Sequence, residues 1–153
     1  MSRTDKASRV IRAPAQKLYA AHLEADALAQ WRPPQGMRAE IYAFDARVGG
    51  GYRMAFIYVD AAGEGRGKTS EDADEFTGEF LALEPATRIV ERVDFQSDDP
   101  TFTGPLTITT TFTPLAEGTL VEIVCENVPP GISAEDHAVG LASTLANLAA
   151  FAE

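Results

Sequence analysis

Apolar and polar residues alternate with a period of two from Met37 to about Asn127, which predicts a run of β-strands. Residues typical of turns, such as Gly, Pro and Asp, separate the strands. The predicted strands are 38–46, 51–59, 74–83, 88–95, 105–113 and 119–126. Several links between them are short, and a parallel pair would need a long crossover. The pattern therefore predicts an antiparallel meander.

The first third of the chain predicts one more strand and two short helices. A β-branched pair favours a strand over residues 8–13, and a helix is expected to begin at about Pro14. Asp26 is the expected cap of a second short helix, which ends at Trp31 before a Pro-Pro pair. These two helices would form one small layer.

The last part of the chain predicts one long amphipathic helix. Ser133 is the expected N-cap, and an apolar stripe follows it with helical spacing: Leu141, Leu145, Leu148 and Phe151. The stripe has to pack on something apolar, and the sheet is the available partner. The predicted class is α+β, with a curved antiparallel sheet of about seven strands around a long C-terminal helix and two short helices after strand one.

A run of three glycines, Gly49 to Gly51, predicts a tight turn between the strands on either side of it. The strand after the turn places four large side chains on one face: Tyr52, Met54, Phe56 and Tyr58. Such a face either fills a wide core or lines an apolar cavity. Buried tyrosines need partners for their hydroxyls, and the C-terminal helix carries small residues that would leave a concave sheet partly unfilled. These two features favour the cavity.

Composition narrows the function classes. A length of 153 residues with 45% hydrophobic residues predicts one domain over 1–153. The net charge of −10 repels phosphate backbones, so no nucleic-acid partner is expected. Cys125 is the single cysteine, which excludes an intramolecular disulfide and suits a reducing, cytoplasmic location. No apolar stretch reaches the length of a membrane span.

Several short motifs occur in an order typical of a known family. They are Ala13-Pro14, Trp31, Asp45-x-Arg47-x-Gly49-Gly50, Gly78, Leu83-x-Pro85, Gly118-Thr119 and His137-x-x-Gly140. This order resembles the branch of the START-like, or SRPBCC, helix-grip superfamily that includes homologues of the activator of heat-shock-protein-90 ATPase. The resemblance covers roughly the whole chain.

The resemblance implies a fold and a class of function. Members of the superfamily look like carriers of hydrophobic ligands, with a cavity between the sheet and the long helix. Other branches are cyclases, hydrolases or dehydratases, and the eukaryotic namesake is a co-chaperone domain. This chain has Leu141 where the family usually has tryptophan, and Arg32 where an aromatic residue is frequent. Both differences remove aromatic surface near the expected cavity.

Two loop motifs have a simple structural interpretation. The stretch 63–69 contains Gly67-Lys68-Thr69, but its glycine spacing does not match a phosphate-binding loop and no helix follows it. The acidic run Glu71, Asp72, Asp74 and Glu75 lacks the order of an EF-hand loop. With two histidines and one cysteine in the chain, neither a metal site nor a cofactor is expected.

Three side chains are candidates for reactive groups. Cys125 lies in an apolar strand, where cysteine commonly serves as a small buried hydrophobe. His137 is expected in the first turn of the long helix, either at the surface or in a hydrogen bond that steadies the helix. Glu79 faces solvent if Phe76 and Phe80 face inward, and it enters the cavity in the opposite register. Solvent is favoured for Glu79, but the alternation leaves both registers open.

The sequence thus favours the binding of an apolar or amphipathic small molecule between the sheet and the C-terminal helix, with no reaction assigned. The expected ligand-binding residues are Trp31, Phe44, Tyr52, Met54, Phe56, Tyr58, Phe76, Phe80, Phe95, Phe112, His137, Leu141 and Leu145. One alternative is a cyclase- or hydrolase-like enzyme that uses Glu79 or His137 as acid or base. Another is a co-chaperone-like domain that docks a chaperone partner. A homodimer is compatible with each of these three functions, and no sequence feature determines the oligomeric state.

Overall fold

The computed structural model describes residues 3–34, 36–59, 73–97, 99–102 and 104–153. Within these residues, seven strands form one antiparallel sheet in the order β1-β7-β6-β5-β4-β3-β2. The strands are β1 (Thr4–Ile11), β2 (Met37–Phe44), β3 (Gly51–Tyr58), β4 (Ala73–Glu84), β5 (Arg88–Phe95), β6 (Leu106–Leu115) and β7 (Gly118–Glu126). The predicted meander is confirmed, and β1 joins it by pairing with β7.

Helices precede and follow the meander. The described residues form α1 (Ala15–Ala21), α2 (Ala25–Trp31) and α3 (Ala134–Ala152), with a 3₁₀ turn over Pro100–Phe102. The α+β class and the long C-terminal helix are therefore confirmed. None of the helices in the described ranges has the length and apolar character needed to cross a bilayer.

Two details at the start of the chain differ from the sequence prediction. The first strand begins at Thr4 and not at residue 8, because it pairs with β7 along its whole length, from Thr4 opposite Glu126 onward. Asp26 does not cap α2: the helix begins at Ala25 and places Asp26 inside its first turn. A carboxylate there still interacts favourably with the positive end of the helix dipole.

The glycine run forms the connection between β2 and β3, as predicted, and it also reaches β4. Gly49 adopts a φ of 84°, which is costly for residues with a Cβ. Its N–H donates to the carbonyl of Phe80 at 3.0 Å, and the carbonyl of Gly50 accepts from the N–H of Phe80 at 2.9 Å. A Cβ on Gly51 would collide with the carbonyl of Gly78. The turn therefore fixes both the start of β3 and its register against β4.

A β-bulge in β4 settles the orientation of Glu79. The pairing of β4 with β5 shifts between Phe80 and Ala82, which changes the alternation of the strand. Phe80 before the bulge and Leu83 after it both pack against the core, whereas Glu79 and Leu81 are exposed. Glu79 thus faces solvent, which is the orientation favoured from the sequence. The second apolar set in this strand reflects the bulge and not an inverted register.

The helix α3 packs more tightly at its C-terminal end than at its N-terminal end. Leu145 and Leu148 are buried, as the stripe predicts, but Phe151 is 36% exposed. The stripe continues through Ala152 instead, four residues after Leu148, and Ala152 is 3% exposed. The predicted place of Phe151 on the inner face is therefore wrong.

Candidate functional site: a cavity under the C-terminal helix

A cavity of about 760 Å³ lies between the inner face of the sheet and α3. Strands β3 to β7, the end of α2 and the residues of α3 up to Leu148 contribute to its walls. Aromatic rings form much of the wall on the sheet: the centroids of Phe56 and Phe76 are 4.8 Å apart, and those of Phe76 and Phe95 are 5.9 Å apart, both in edge-to-face geometry. The cavity is therefore mainly apolar.

The expected ligand-binding residues divide between this cavity and the packed core beside it. Those on the cavity wall are Trp31, Phe56, Tyr58, Phe76, Phe95, His137, Leu141 and Leu145. Those away from the wall are Phe44, Tyr52, Met54, Phe80 and Phe112, all of which pack into or against the core. The strand residues of both groups lie on the inner face of the sheet, so sequence alternation alone does not separate them.

The small residues of α3 contribute less than the sequence suggested. Ala138 and Ala142 are exposed on the outer side of the helix, and Gly140 is the member of this group on the cavity wall. A Cβ placed on Gly140 would have nothing within 4 Å. Gly140 lies three residues after His137 and four before Thr144, both on the same wall. The cavity is open at this point because glycine leaves it unfilled.

A buried polar network lies at the boundary between the cavity and the packed core. The Tyr52 hydroxyl donates to Glu91 Oε1 at 2.6 Å. The Arg32 guanidinium donates to the same oxygen from both terminal nitrogens, at 3.5 and 3.4 Å. Glu91 is 1% exposed, and its Oε2 has no hydrogen-bond partner within the described residues. Arg32 lies on the cavity wall, whereas Glu91 and Tyr52 lie behind it.

Burial and charge act together on this network. Burial raises the pKa of Tyr52 well above its usual value, and the neighbouring Glu91 carboxylate adds to the effect. Burial alone would lower the pKa of Arg32, but the nearby Glu91 carboxylate, with smaller contributions from Tyr52 and Cys125, outweighs burial and raises that pKa. Arg32 therefore remains a cation, and Tyr52 remains a neutral hydrogen-bond donor.

His22 is a second polar group on the wall, and it is neutral. Its Nδ1 lies 2.7 Å from the carbonyl oxygen of Leu18, and its ring packs edge-on against Trp31 and Phe112. Burial, with the nearby charge of Arg32, lowers the pKa of His22 to about 4. The imidazole thus acts as a neutral donor that holds α1 against the core, and it adds no charge to the cavity.

His137 connects the start of α3 to the first strand. Its Nδ1 lies 2.6 Å from Asp5 Oδ2, and Arg3 donates to the same carboxylate at 2.9 Å. Burial would raise the pKa of Asp5, but the hydrogen bonds from Arg3 and His137 outweigh it and lower that pKa. This contact is the steadying hydrogen bond considered from the sequence. His137 also lies on the cavity wall.

The other reactive candidates do not form a catalytic group. Cys125 is fully buried on the wall, and burial raises the pKa of its thiol to about 12, so it is not a thiolate at neutral pH. Glu79 lies on the outer face and cannot act on a molecule in the cavity, which removes it from the enzyme alternative. Among the described residues, no three His, Cys, Asp or Glu side chains lie close enough to hold a metal ion. The motif at 63–69, with Glu71 and Asp72, lies outside the described residues.

The comparison with known families agrees with the fold. The family model described as "Activator of Hsp90 ATPase homolog 1-like protein" matches residues 12–153. This chain belongs to that family. The family assignment confirms the resemblance drawn from the sequence motifs, and it is consistent with a helix-grip domain that binds a ligand.

Solved structures of the same fold come from several bacteria. A Chromobacterium violaceum protein is 33% identical, with a TM-score of 0.85 over 99% of this chain and 98% of its own. A Rhizobium loti protein is 22% identical, with a TM-score of 0.73 over 99% and 97% of the two chains. A Rhodobacter sphaeroides protein is 17% identical, with a TM-score of 0.75 over 96% and 90%. No curated protein matches the chain in sequence.

The sequence reading missed the Arg32–Glu91 pair, although it named Tyr52. The signal for Glu91 is present in β5, where Ile89, Glu91 and Val93 share one parity and are all buried, whereas the residues between them are exposed or half-buried. An acidic residue at an inward position needs a buried partner. For Arg32, the family motifs indicate only that an aromatic residue is missing, and they give no sign of the ion pair.

Proposed function

We propose that this protein binds a small apolar or amphipathic molecule in the cavity between the sheet and α3. The observation that carries the proposal is the volume of about 760 Å³ with a mainly apolar wall. Small-molecule sites in proteins commonly measure about 300–1,000 Å³ and combine apolar walls with a few polar groups. The family assignment supports a ligand-binding domain in general.

Apolar contact would supply most of the affinity. Phe56, Phe76 and Phe95 offer adjacent ring surfaces on the sheet, and Leu141 and Leu145 face them from α3. Burial of apolar surface stabilises a complex by about 25 cal/mol per Å² before the entropy of association is subtracted. The polar groups on the wall would orient the ligand. No reaction is part of the proposal.

The two other interpretations have less support. Large exposed hydrophobic residues in the described ranges are spread over several elements, such as Val10 on β1, Tyr42 on β2 and Val139 on α3. A protein-docking surface would favour one contiguous patch. For the enzyme, His137 is the remaining candidate, and because its Nδ1 is paired with Asp5, only Nε2 is left to act on a ligand. The buried free thiol of Cys125 suits the reducing cytoplasm that we propose as the location.

A fluorescence titration with the neutral probe N-phenyl-1-naphthylamine tests the proposal. The wild-type protein should bind one probe per chain, so that the probe emission saturates as the protein is titrated. The variant Gly140→Phe would place a ring in the cavity, where a Cβ meets open space, and should weaken binding at least about tenfold. Ala142→Phe is the matched control, because it adds the same ring on the exposed side of the same helix.

The control should bind the probe as tightly as the wild type. Circular dichroism should show the same helix and strand content in all three proteins. If the wild type fails to bind the probe saturably, or if Gly140→Phe binds it as well as Ala142→Phe does, the cavity is not the binding site and the proposal is wrong.

A further inference from the structure

The guanidinium of Arg32 is the feature of the cavity that apolar binding does not explain. Within the described residues, two of its five N–H donors contact Glu91 Oε1, and the Tyr52 hydroxyl lies close enough to accept from it as well, so only part of its donor capacity has a protein acceptor. The two contacts with Glu91 are also long, at 3.5 and 3.4 Å, near the limit for a hydrogen bond. A cation with unused donors thus lies on the wall of a mainly apolar cavity.

Glu91 does not occupy the donors that face the cavity. It lies behind Arg32, and the single oxygen that contacts Arg32 also accepts the short bond from the Tyr52 hydroxyl. Removal of a guanidinium from water is expensive unless its donors are satisfied. The wall therefore presents donors without acceptors at this point, which suits a ligand that brings its own acceptor oxygens.

The remaining charged groups on the wall lie away from Arg32. Asp74 is six positions before Phe80, the residue of β4 that pairs with Glu91, which is on the order of 20 Å along the strand. Thr144 Oγ1 donates to the backbone carbonyl of Arg32, whereas Asp136 and His137 are seven to eight positions earlier on α3, on the order of 10 Å along its axis. The cation therefore stands at the inner end of the cavity, beside the packed core.

From this arrangement we infer that the ligand is an amphipathic carboxylate whose head group binds Arg32 at the inner end of the cavity and whose apolar tail lies along Phe56, Phe76 and Phe95. The inference rests on the proposed function and names the class of ligand. A planar carboxylate matches the fork of N–H donors on a guanidinium, and such charge-assisted pairs are stronger than neutral hydrogen bonds. His22 is neutral and does not compete as a second cation.

Three probes with the same ten-carbon chain test the inference: decanoate, decanol and decylamine. The affinity of each ten-carbon probe is measured by how well it displaces N-phenyl-1-naphthylamine from the wild-type protein at pH 7.4. Each ten-carbon probe is kept below the concentration at which it forms micelles. Decanoate should bind about tenfold more tightly than decanol, and decylamine should bind more weakly than either. Equal affinity for decanoate and decanol would overturn the inference and leave the proposed function intact.

Variants of Arg32 and Glu91 should change the affinity for decanoate in opposite directions. A purely structural role of the two residues would not produce this result. Glu91→Gln removes the competing carboxylate and should tighten decanoate binding about threefold or more. The double variant Arg32→Met with Glu91→Gln removes both charges and leaves no buried ion alone. It should lose the preference for decanoate over decanol, while decanol binding stays within about threefold of the wild type and reports an intact cavity.

Arg53→Gln is the matched control, because Arg53 pairs with Glu75 on the exposed face of the sheet. It should leave the affinities of all three probes unchanged. If decanoate affinity is the same in the wild type, Glu91→Gln and the double variant, Arg32 does not bind the head group and the inference is wrong. If no ten-carbon probe and no naphthylamine binds the wild type, the proposed function fails and this inference fails with it.

Discussion

The inner face of β3 passes through two regions that differ in what covers them. Met54 is 1% exposed and packs within the core, whereas Phe56, two residues later on the same face, is only partly buried and lies on the cavity wall. The two side chains have the same orientation and similar apolar character. Their surroundings therefore depend on the elements packed over the sheet and not on the strand itself.

The helix α3 shows the same division along its length. From Thr144 to Ala152, its inward residues are buried and contact the core. Earlier in the helix, Gly140 and Leu141 lie on the wall of an open space, and Val139 is 68% exposed. A helix that packs on the core at one end and borders open space at the other leaves a cavity without changing the fold. Packing and binding can therefore share one hydrophobic face.

The largest expected effect is the difference in stability between alanine variants of Met54 and Phe56. Met54→Ala should lower the free energy of unfolding by about 2–5 kcal/mol, because it creates a void in a filled region. Phe56→Ala should lower it by less than about 1.5 kcal/mol, because its ring already borders empty space, but it should weaken naphthylamine binding. Urea denaturation measures the first quantity and fluorescence titration the second. Equal losses of stability would contradict the division into two regions.

The pH dependence of stability tests whether water reaches His22 at the boundary between the cavity and the packed core. Its pKa is about 4 in the folded protein and near 6.5 when unfolded, so the unfolded chain binds the proton first as the pH falls. His22 therefore costs no stability above pH 6.5, and stability is lost progressively as the pH falls from 6.5 to 4, by about 3 kcal/mol in total.

The variant His22→Asn removes this titration and retains a side-chain donor near the carbonyl of Leu18. Between pH 7 and pH 4, the wild type should lose more stability than the variant, by about the same 3 kcal/mol. Urea denaturation at a series of pH values measures the difference. Parallel pH profiles for the two proteins would mean that water reaches His22 from the cavity.

A smaller effect is expected at the start of α3, where the helix borders the cavity. The Ser133 hydroxyl accepts the N–H of Asp136 at 3.0 Å and so caps the helix. Ser133→Ala should lower the free energy of unfolding by about 1 kcal/mol. Ser133→Asp is the control and should retain most of the stability, since aspartate caps equally well. An unchanged stability in Ser133→Ala would show that the Asp5–His137 contact alone fixes this end.

The smallest expected effect is a gain in stability at Gly140. Gly140→Ala adds a methyl group that meets no atom within 4 Å and removes the entropy cost of glycine within a helix, so it should stabilise the protein by about 0.5–1 kcal/mol. Ala142→Gly, on the exposed side of the same helix, should destabilise it by a similar amount. If Gly140→Ala destabilises the protein, the space beside Gly140 is filled and the open region is smaller than described.

The strand order and the C-terminal helix could be predicted because they follow from local periodicity and turn residues. The orientation of Glu79 toward solvent could be favoured but not settled, because the bulge between Phe80 and Ala82 changes the alternation without an obvious sequence signal. The division of the aromatic residues between core and cavity was also out of reach. Tyr52 and Phe56 have the same parity, and only the tertiary position of α3 distinguishes them.

The Arg32–Glu91 contact illustrates a different limit. The two residues are 59 positions apart, and each is unremarkable in its own segment. A charged residue at an inward strand position indicates that a partner exists, but it does not say which residue that partner is. Pairing of this kind depends on where the C-terminal end of α2 places Arg32 relative to β5, and it requires the three-dimensional fold.

Chemical-shift mapping by ¹⁵N–¹H NMR, with N-phenyl-1-naphthylamine as the neutral ligand, shows directly whether the cavity is the binding site. We expect the amide shifts on saturation to cluster around the cavity, at Phe56, Phe76, Ile123 and Gly140, and those of Met54 and Ile89 in the packed core to change little. Shifts confined to the exposed surface of the sheet, or spread equally over the cavity and the packed core, would contradict it.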